Sequence, residues 1–449
     1  MKIMIVGTGY VGLVTGTCLA DLGNFVTCVD SDLKKLTVLK GCKSPFYESG
    51  LEERLKRNSE AGRLSFTSSI RDDFKETDVF FNIVGTPSLE SGELDLSYMY
   101  SVVREFFDVY KNTGCNDFKV FVMKSTVPVG TGQEIVAIRE SYGISDDQVA
   151  IVSNPEFLRQ GTAVDDFFHP DRIVIGSSCD KALDIVQKLY DPLSRRDTPI
   201  VRTSLQTAEL SKYASNTYLA TKISFINEMA NLCELTGADV SDVSKIMGLD
   251  ARIGRYFLNF GPGYGGSCLP KDTKSLVHLS EILGYDLKIA SAVEAVNDHQ
   301  KKRVMSYILD YFNHDLTGKI FAVLGLSFKP NTDDVRESSS LVIIESLLNQ
   351  GANVKAFDPE VNFLSEFDGY DGFSIVGDSY EVAESADAII LVTEWNMFRE
   401  LDLKRLKSVM NQPVFFDLRN VYSPKKLEDA GFDAYVVGRK CLKVAIDKG

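Results

Sequence analysis

Short apolar segments alternate with amphipathic segments along the first part of the chain. Residues 2–6, 25–29, 79–84 and 120–123 are apolar and β-prone. The segments between them carry apolar and small side chains at helical intervals, as residues 13–20 do. Strands that alternate with helices predict a parallel sheet with helices on both faces.

The last third of the chain repeats this pattern. Residues 319–325 repeat the first strand and its turn, and residues 354–358 repeat the second strand with an acid at its end. Residues 387–393 and 414–417 repeat the third and fourth strands. We therefore predict an α/β fold with two similar parallel-sheet lobes, the second of which covers residues 315–449.

A single long helix is predicted between the two lobes, over residues 205–236. This segment contains no proline, and the first glycine, Gly237, follows its end. Its apolar stripe is a candidate subunit interface, so we expect a homodimer or a higher homo-oligomer. We assign residues 201–300 to a central helical domain and residues 1–200 to the N-terminal lobe. The stripe consists of Leu210, Tyr213, Tyr218, Ile223, Ile226 and Met229.

Composition excludes several classes of protein. The 449 residues are 44% hydrophobic and 25% charged, which is typical of a globular chain with two or three domains. The net charge of -14 argues against a nucleic-acid partner, and no apolar run is long enough to span a membrane. The eight cysteines include no C-x-x-C pair, and the four histidines lack metal-ligand spacing. We expect a cytoplasmic protein whose cysteines are reduced and mostly in the core, with no bound metal.

The first strand leads into a glycine-rich turn that reads GTGYVG. Gly7 allows the tight turn, Gly9 lets the backbone approach a pyrophosphate, and Gly12 lets the following helix pack on the strand. The second strand ends at Asp30, which would bind the adenine ribose hydroxyls and repel a 2′-phosphate. Strand, turn, helix, strand and acid together predict a Rossmann domain that binds NAD+ in preference to NADP+. A Rossmann-like domain that binds no dinucleotide is the alternative. The corresponding turn of the second lobe, at residues 325–329, has lost these glycines, so we expect a different ligand there.

A second glycine-rich segment follows the long helix and reads GPGYGGSCLPKD over residues 261–272. Glycines at this density bring a backbone close to a ligand or form a nest for an anion. Cys268, with Lys271 and Asp272 close behind it, is in a setting where a thiol can be activated as a nucleophile. On composition alone, a single cysteine is more often structural than catalytic.

The cysteine segment resembles the active-site signature of the nucleotide-sugar 6-dehydrogenases, the UDP-glucose/GDP-mannose dehydrogenase family. The resemblance covers nearly the whole chain and seven motifs in the family's order. Besides the first glycine turn and the cysteine segment, the motifs are VGTP (84–87), STVPVGT (125–131), NPEFL (154–158), ELSKYASN (209–216), and GLSFK (325–329) with DVRES (334–338).

The resemblance implies that a sugar primary alcohol is oxidised to a carboxylate while two NAD+ are reduced, here UDP-glucose to UDP-glucuronate. The Cys268 thiolate would add to the intermediate aldehyde, and the second oxidation would leave a thioester that water hydrolyses. Asp272 and Thr126 would position that water, and Lys212 would stabilise the oxyanion or act as a base. Lys212 and Asn216 are four residues apart on the long helix and so share one face. The implied catalytic residues are Cys268, Lys212, Asp272, Thr126, Glu156 and Asn216.

The resemblance also implies binding residues. Those for NAD+ are Gly7, Gly9, Tyr10, Val11, Gly12, Asp30, Lys35, Thr86, Thr126, Gln160, Lys271 and Arg336. Those for the nucleotide sugar are Glu156, Phe157, Leu158, Lys212, Asn216, Arg252, Phe257, Leu258, Asn259, Gly265, Lys329 and Arg419. Arg252 resembles an arginine that reaches into the neighbouring subunit's site. Without the resemblance, the lysines and arginines would be ordinary solvated charges, and Thr126 and Glu156 would be residues that satisfy backbone groups.

The chain departs from the family pattern at three positions. Gln160 stands where many relatives carry a glutamate near the nicotinamide, and an amide cannot act as a base. Asn259 replaces a lysine that some relatives direct toward the sugar or phosphate. Leu269 follows the cysteine, as it also does in GDP-mannose dehydrogenases, whereas Arg419 in its DLRN setting favours UDP-glucose.

Three main alternatives to a UDP-glucose dehydrogenase remain, and a UDP-N-acetylhexosamine dehydrogenase ranks last because the cysteine segment of those enzymes differs. A GDP-mannose 6-dehydrogenase would keep the fold and the chemistry. A non-catalytic sensor of NAD or a nucleotide sugar would be expected to have lost Cys268, Lys212 or Asp272, and all three are present. A two-electron dehydrogenase of the 6-phosphogluconate type shares the plan of lobes and helix but has no need of the cysteine.

Overall fold

The chain forms two compact units, Met1–Ser215 and Asn216–Gly449. The division falls inside one continuous helix, Leu205–Thr236, which has the bounds that the sequence predicts. Each unit has its own parallel-stranded region and its own hydrophobic core. The computed structural model describes residues 1–89, 91–194 and 198–439.

The first unit is built on an eight-stranded sheet. Its strands are β1 (Lys2–Val6), β2 (Phe25–Val29), β3 (Leu64–Thr67), β4 (Val79–Asn82), β5 (Lys119–Met123), β6 (Val149–Ser153), β7 (Ile173–Gly176) and β8 (Ile200–Thr203). They lie in the order β3-β2-β1-β4-β5-β6-β7-β8. The first six have the order of a doubly wound dinucleotide-binding sheet, which confirms the predicted Rossmann-like fold.

Helices cover both faces of this sheet. Alternate side chains of β1 enter two different apolar clusters, Ile3 and Ile5 the first and Met4 the second. Strands β4, β5 and β6 are buried along their whole length, which explains why they are apolar except at one end, where Asn82, Lys119 and Ser153 lie. The helices are α1 (Tyr10–Asp21), α2 (Leu33–Lys40), α3 (Leu51–Glu60), α4 (Ser97–Asn112), α5 (Thr131–Ser141), α6 (Ala163–Phe168), α7 (Asp180–Ser194) and the start of α8 (Leu205–Thr236).

One pair of strands departs from the predicted parallel arrangement. Strands β6 and β7 pair antiparallel, at Ser153 and Gly176. The connection between them contains only α6, whose six residues rise about 9 Å and do not return the chain to the starting edge of the sheet. The 15-residue helix α7 does make that return, and β8 pairs parallel with β7.

The second unit contains a six-stranded, fully parallel sheet. Its strands are β9 (Ile320–Leu324), β10 (Asn353–Phe357), β11 (Phe373–Ile375), β12 (Ala388–Leu391), β13 (Val414–Asp417) and β14 (Asp433–Val436). Their order, β11-β10-β9-β12-β13-β14, repeats that of the first six strands of the first unit. The remaining helices are α9 (Val240–Leu249), α10 (Leu269–Ile282), α11 (Lys288–Tyr311), α12 (Ser339–Asn349), α13 (Leu403–Val409) and α14 (Pro424–Asp429). The internal repeat that the sequence predicts is therefore confirmed.

The repeat extends to the acid after the second strand of each sheet. In the second unit this acid, Asp358, is buried, and its Oδ2 accepts hydrogen bonds from the backbone N–H groups of Leu326 and Ser327 at 2.8 and 3.0 Å. The indole Nε1 of Trp395 donates to the same oxygen at 3.1 Å. The acid thus closes the GLSFK turn internally.

The apolar stripe predicted on α8 does not form one exposed face. Tyr213 and Ile226 are 1% and 0% exposed and belong to the cores, whereas Tyr218 is 65% exposed. The sequence shows which residues of α8 are apolar. It does not show on which side of so long a helix other elements pack. The exposed large apolar residues of α8 are Leu210, Tyr218, Phe225, Leu232 and Leu235.

The cysteines mostly lie in the cores, as predicted. Cys18, Cys28, Cys115 and Cys233 are buried. Cys441 lies outside the described residues. Within the described part of the chain, no helix is long and apolar enough to cross a membrane.

Candidate active site

The glycine turn after β1 has room for a ligand at one position only. A Cβ on Gly7 would lie 2.6 Å from the carbonyl oxygen of Ile83, and a Cβ on Gly12 would lie 1.9 Å from the carbonyl oxygen of Gly7. Gly9 faces open space, with no heavy atom within 4 Å of a Cβ built there. It is also the N-cap of α1, where no side chain caps the first-turn N–H groups. The turn therefore fits a dinucleotide pyrophosphate, which binds at helix N-termini of this kind.

Asp30 is fixed at the end of β2 beside this turn. Its Oδ2 accepts hydrogen bonds from the Thr8 N–H at 3.0 Å and from Lys35 Nζ at 3.0 Å, and its Oδ1 accepts one from the Asp32 N–H. Burial opposes ionisation, but the donors from Thr8, Asp32 and Lys35 hold the pKa of Asp30 below its usual value. The carboxylate is therefore charged and held in place at neutral pH.

Thr86 and Thr126 lie together where β4 and β5 end. The Thr86 hydroxyl donates to the carbonyl of Thr126 at 3.0 Å, and the Ser125 hydroxyl donates to the carbonyl of Val84 at 2.7 Å. Both loops follow the carboxyl ends of parallel strands, where doubly wound sheets bind their ligands. The structure thus brings together two residues that the sequence assigns to the cofactor.

The loop that carries Thr126 is tied to α8 by a buried carboxylate. Glu209 accepts hydrogen bonds from the N–H groups of Gly130 and Gly132, both at 2.8 Å. Burial raises the pKa of Glu209 to about 7, against the opposing effect of these two donors. Glu209 therefore fixes the N-terminus of α5 to the start of the long helix.

Glu156 and Lys212 form a buried ion pair in the first unit. Lys212 Nζ lies 3.1 Å from Glu156 Oε1, and the two side chains are 4% and 7% exposed. Burial opposes ionisation of the acid, but Lys212 and the Leu158 N–H hold the pKa of Glu156 below its usual value. The Lys212 ammonium also lies 5.2 Å from the centre of the Phe157 ring. Lys212 is therefore not the solvated helix lysine that the sequence alone suggests.

Lys124 is a further buried cation near this pair, and the sequence reasoning missed it. Its Nζ donates to Asn154 Oδ1 at 3.1 Å and lies 3.4 Å from the Tyr190 hydroxyl. Burial lowers the pKa of Lys124 to about 8, although Glu156 opposes the shift. The available signal was a lysine directly after the apolar residues 120–123 and directly before a Ser-Thr pair.

Asn216 and Asp272 form a buried pair in the second unit. Asn216 Nδ2 donates to Asp272 Oδ2 at 2.6 Å, and the two residues are 7% and 1% exposed. Lys271 Nζ lies 2.8 Å from the other oxygen, Asp272 Oδ1, in ion-pair contact but without hydrogen-bond geometry. Among the described residues, Oδ1 therefore has no hydrogen-bond donor, which leaves an acceptor for a water molecule.

Cys268 occupies the N-cap position of α10, one turn before Asp272. The Asp272 N–H donates to the Cys268 carbonyl at 2.9 Å, and no side chain caps this helix end. A thiol at a helix N-terminus and near a cation is easier to ionise. Arg336 is that cation: its hydrogen bonds to Asp334 raise the pKa of Arg336, and Arg336 also interacts electrostatically with Cys268.

The glycines before Cys268 bring its loop against the segment that carries Arg336. A Cβ on Gly265 would lie 2.3 Å from the carbonyl oxygen of Glu337, and the Gly266 N–H donates to the Arg336 carbonyl at 2.8 Å. At this position the glycines serve a close backbone contact within the protein. The polar side chains that hold the loop were missed by sequence reasoning because amides at helical positions give no distinctive pattern. They are Asn227, which accepts from the Gly261 N–H, Asn297, which bonds both backbone groups of Tyr264, and Gln300, which donates to the Gly261 carbonyl.

The residues assigned to the sugar nucleotide are spread over both units. Phe157 and Leu158 follow β6, and the Arg172 guanidinium lies 3.5 Å from the centre of the Phe157 ring. In the second unit, Arg419 donates to the carbonyls of Val392 at 2.7 Å and Phe328 at 3.4 Å. These bonds place it beside the turn that carries Lys329.

The loop at residues 252–259 is the most exposed part of the predicted site. Arg252 has an 88% exposed side chain and forms an ion pair with Asp250, two residues before it. Phe257 has a left-handed backbone at φ 63°, Leu258 is buried, and Asn259 is exposed. The structure does not bring Arg252 to the other site residues of its unit.

Comparison with known proteins covers nearly the whole chain. Residues 1–194 match the profile of the UDP-glucose/GDP-mannose dehydrogenase family NAD-binding domain, residues 206–299 its central domain, and residues 322–424 its UDP-binding domain. NAD is therefore the cofactor of the first unit, and the glycine turn and Asp30 fit it.

The relatives that match over their full length are named for the same activity. UDP-glucose 6-dehydrogenase of Rhizobium meliloti is 45% identical over 443 residues, which are 98% of this chain and 100% of that protein. UDP-glucose 6-dehydrogenase TuaD of Bacillus subtilis is 41% identical, over 98% of this chain and 94% of that protein. The solved structure of a UDP-glucose dehydrogenase from Pyrobaculum islandicum superposes with a TM-score of 0.87 at 36% identity, covering 97% of this chain and 96% of that one. The chain belongs to the UDP-glucose/GDP-mannose dehydrogenase family.

Proposed function

We propose that this protein oxidises UDP-glucose to UDP-glucuronate, consuming one water and reducing two NAD+. The observation that carries the proposal is the start of α10, where Cys268 stands one turn before Asp272, whose Oδ1 has no hydrogen-bond donor among the described residues. A nucleophilic thiol and a carboxylate that can hold water are what a thioester route requires. The names of the full-length relatives support the same reaction.

Cys268 is the nucleophile in this proposal. Its thiolate adds to the carbonyl carbon of the aldehyde at sugar C6, a carbon–sulfur bond forms, and the carbonyl oxygen takes a proton to give a thiohemiacetal. Loss of a hydride from C6 and of that proton leaves a thioester. Water then breaks the carbon–sulfur bond, which releases the carboxylate and returns the thiol. When bound, NAD+ accepts the hydride in each of the two oxidations.

Asp272 positions the hydrolytic water, and Asn216 positions Asp272. The Asn216 amide donates to Oδ2 of Asp272, which leaves Oδ1 as the acceptor for water, with the Lys271 ammonium beside it. Thr126, with its carbonyl fixed by Thr86, is proposed to share in holding the water.

Lys212 stabilises the oxyanion that develops at the sugar carbon, and Glu156 holds the Lys212 side chain in place. A preorganised buried ammonium is worth more to a developing oxyanion than the same group in water. Glu156 in turn takes part in proton transfer or orients the thioester. Phe157 and Leu158 follow in the same loop and are proposed to contact the substrate, as are Arg252, Phe257, Leu258, Asn259, Gly265, Lys329 and Arg419.

The cofactor lies along the first sheet in this proposal. The residues that would hold it are Gly7, Gly9, Tyr10, Val11, Gly12, Asp30, Lys35, Thr86, Thr126, Gln160, Lys271 and Arg336. Gly9 supplies the approach of the backbone, and Asp30 supplies the ribose acceptor. Domains are proposed at residues 1–200 for NAD, 201–300 for the central helices and 315–449 for the UDP-sugar, in a cytoplasmic enzyme.

The proposed reaction is tested by following NADH absorbance with limiting UDP-glucose, and with GDP-mannose in parallel. We expect two NADH for each UDP-glucose and at least about 100-fold lower kcat/KM for GDP-mannose, because a site that bonds one base leaves its polar groups unpaired with the other. Reduction of NAD+ by GDP-mannose alone would overturn the sugar assignment. NAD+ binding without oxidation of either sugar nucleotide would favour the sensor.

We further propose a homodimer formed through α8. Tyr218, Phe225 and Leu232 recur at intervals of seven residues, so they lie on one side of the helix, and they are 65%, 45% and 51% exposed. We expect light scattering to give twice the mass of the chain, and Phe225→Asp to give a folded monomer. A monomeric mass for the unmodified protein would contradict this prediction.

A further inference from the structure

A buried carboxylate outside the proposed catalytic groups joins two loops of the first unit. Glu48 lies in the segment between α2 and α3 and is 7% exposed. Its Oε2 accepts a hydrogen bond from the Tyr10 hydroxyl and another from the Gly161 N–H at 2.7 Å. Its Oε1 accepts one from the Val164 N–H at 3.4 Å. A carboxylate with several protein donors and almost no solvent contact holds together the segments that supply those donors.

The two loops belong to different halves of the sheet. Tyr10 is the first residue of α1, directly after Gly9 of the glycine turn between β1 and β2. Gly161 lies in the loop after the carboxyl end of β6, which also carries Glu156 and Gln160. In a sheet of this strand order each half binds one mononucleotide, and the dinucleotide lies across the point where the order reverses.

Tyr10, Glu48 and Gly161 are all hydrogen-bonded to one another. The Gly161 N–H also donates to the Tyr10 hydroxyl at 2.9 Å, so the hydroxyl, the carboxylate and the amide form a triangle. Gly161 has φ +81°, a backbone conformation that side chains other than glycine rarely adopt. The Tyr10 ring lies 5.0 Å from the Phe46 ring, which anchors the segment that carries Glu48.

We propose that Glu48 is a positioning residue for NAD+, which holds the loop after β6 in register with the pyrophosphate turn. The inference rests on the proposed function in that NAD+ is the ligand. Glu48, Tyr10 and the glycine turn belong to the half that binds the adenine nucleotide, and only Gly161 and Val164 belong to the other half. Loss of the carboxylate therefore leaves the adenine half intact and releases the loop of the nicotinamide half.

The test is calorimetric binding of NAD+ and of ADP to the full chain carrying Glu48→Gln or Tyr10→Phe. We expect Glu48→Gln to weaken NAD+ about tenfold or more while ADP changes less than about twofold, since an amide has one acceptor oxygen in place of two, so that the N–H of Gly161 or that of Val164 faces the amide's own donor. Tyr10→Phe should shift NAD+ in the same direction by a smaller factor. Glu53→Gln, at an exposed carboxylate in the first turn of α3, is the matched control and should bind both ligands as the unmodified protein does.

Three results would overturn the inference, and they are distinguishable. If the unmodified protein binds NAD+ and Glu48→Gln binds it equally well, or loses NAD+ and ADP in equal proportion with a lowered Tm, Glu48 is a stabilising residue only and the proposed reaction stands. If the unmodified protein does not bind NAD+, the proposed function fails together with the inference. Tyr10→Phe removes the two bonds of the triangle that involve the hydroxyl and keeps the one from Gly161 to Glu48, and it decides the matter should Glu48→Gln not fold.

Discussion

Replacement of Cys268 by serine is expected to lower the turnover of UDP-glucose by at least about 10³-fold. The start of α10 and the nearby Arg336 favour a thiolate, but they cannot ionise an alcohol at neutral pH. The first oxidation does not need the thiol, so up to one NADH for each sugar is expected at a slow rate. Acid-quenched mass spectrometry should find the aldehyde, and no carboxylate, in the products.

Cys179→Ser is the matched control for this substitution. Cys179 is half-buried just before α7, packs against the hydrophobic core of the first unit, and is not among the residues of the proposed chemistry. Its replacement should leave both the rate and the stoichiometry of two NADH unchanged. A Cys268→Ser protein that still made UDP-glucuronate at a rate near that of the unmodified enzyme would exclude the thioester route.

Replacement of Lys212 by methionine should reduce both activity and stability. We expect kcat to fall by at least about 10²-fold, because the ammonium that faces the developing oxyanion is lost. The free energy of unfolding should fall by about 3 kcal/mol, because Glu156 would be left buried without its ion-pair partner. Steady-state kinetics and urea denaturation measure the two effects separately. The exposed Lys188 of α7 provides the control, and Lys188→Met should change neither quantity.

The double variant Lys212→Met with Glu156→Gln distinguishes catalysis from folding. Removing both charges removes the unpaired buried carboxylate, so most of the lost stability should return. The activity should not return, because a methionine cannot stabilise an oxyanion. Recovery of activity along with stability would mean that Lys212 acts only as a structural partner of Glu156.

Much of the fold follows from the sequence because it depends on local periodicity. Residues 2–6, 25–29 and 205–236 have in the structure the bounds that their patterns predict. The second lobe was predicted from the return of the same pattern, since a chain that repeats its strand and helix periods repeats its sheet. The antiparallel pairing of β7 was not predictable, because the direction of a strand depends on its connection and not on its own residues.

For the site, the sequence by itself determined the glycine turn and Asp30 from their local spacing, and the resemblance to the family assigned the roles of Cys268, Lys212 and Asp272. Motifs fix these because each needs a particular residue at a particular local spacing. The tertiary structure alone decided which groups are buried and which partners they meet. The pairing of Lys212 with Glu156 and that of Asn216 with Asp272 each join residues 56 positions apart. The connection made by Glu48 to Gly161 spans 113 positions. No local pattern encodes such contacts, because they arise only when separate elements pack and exclude water between them.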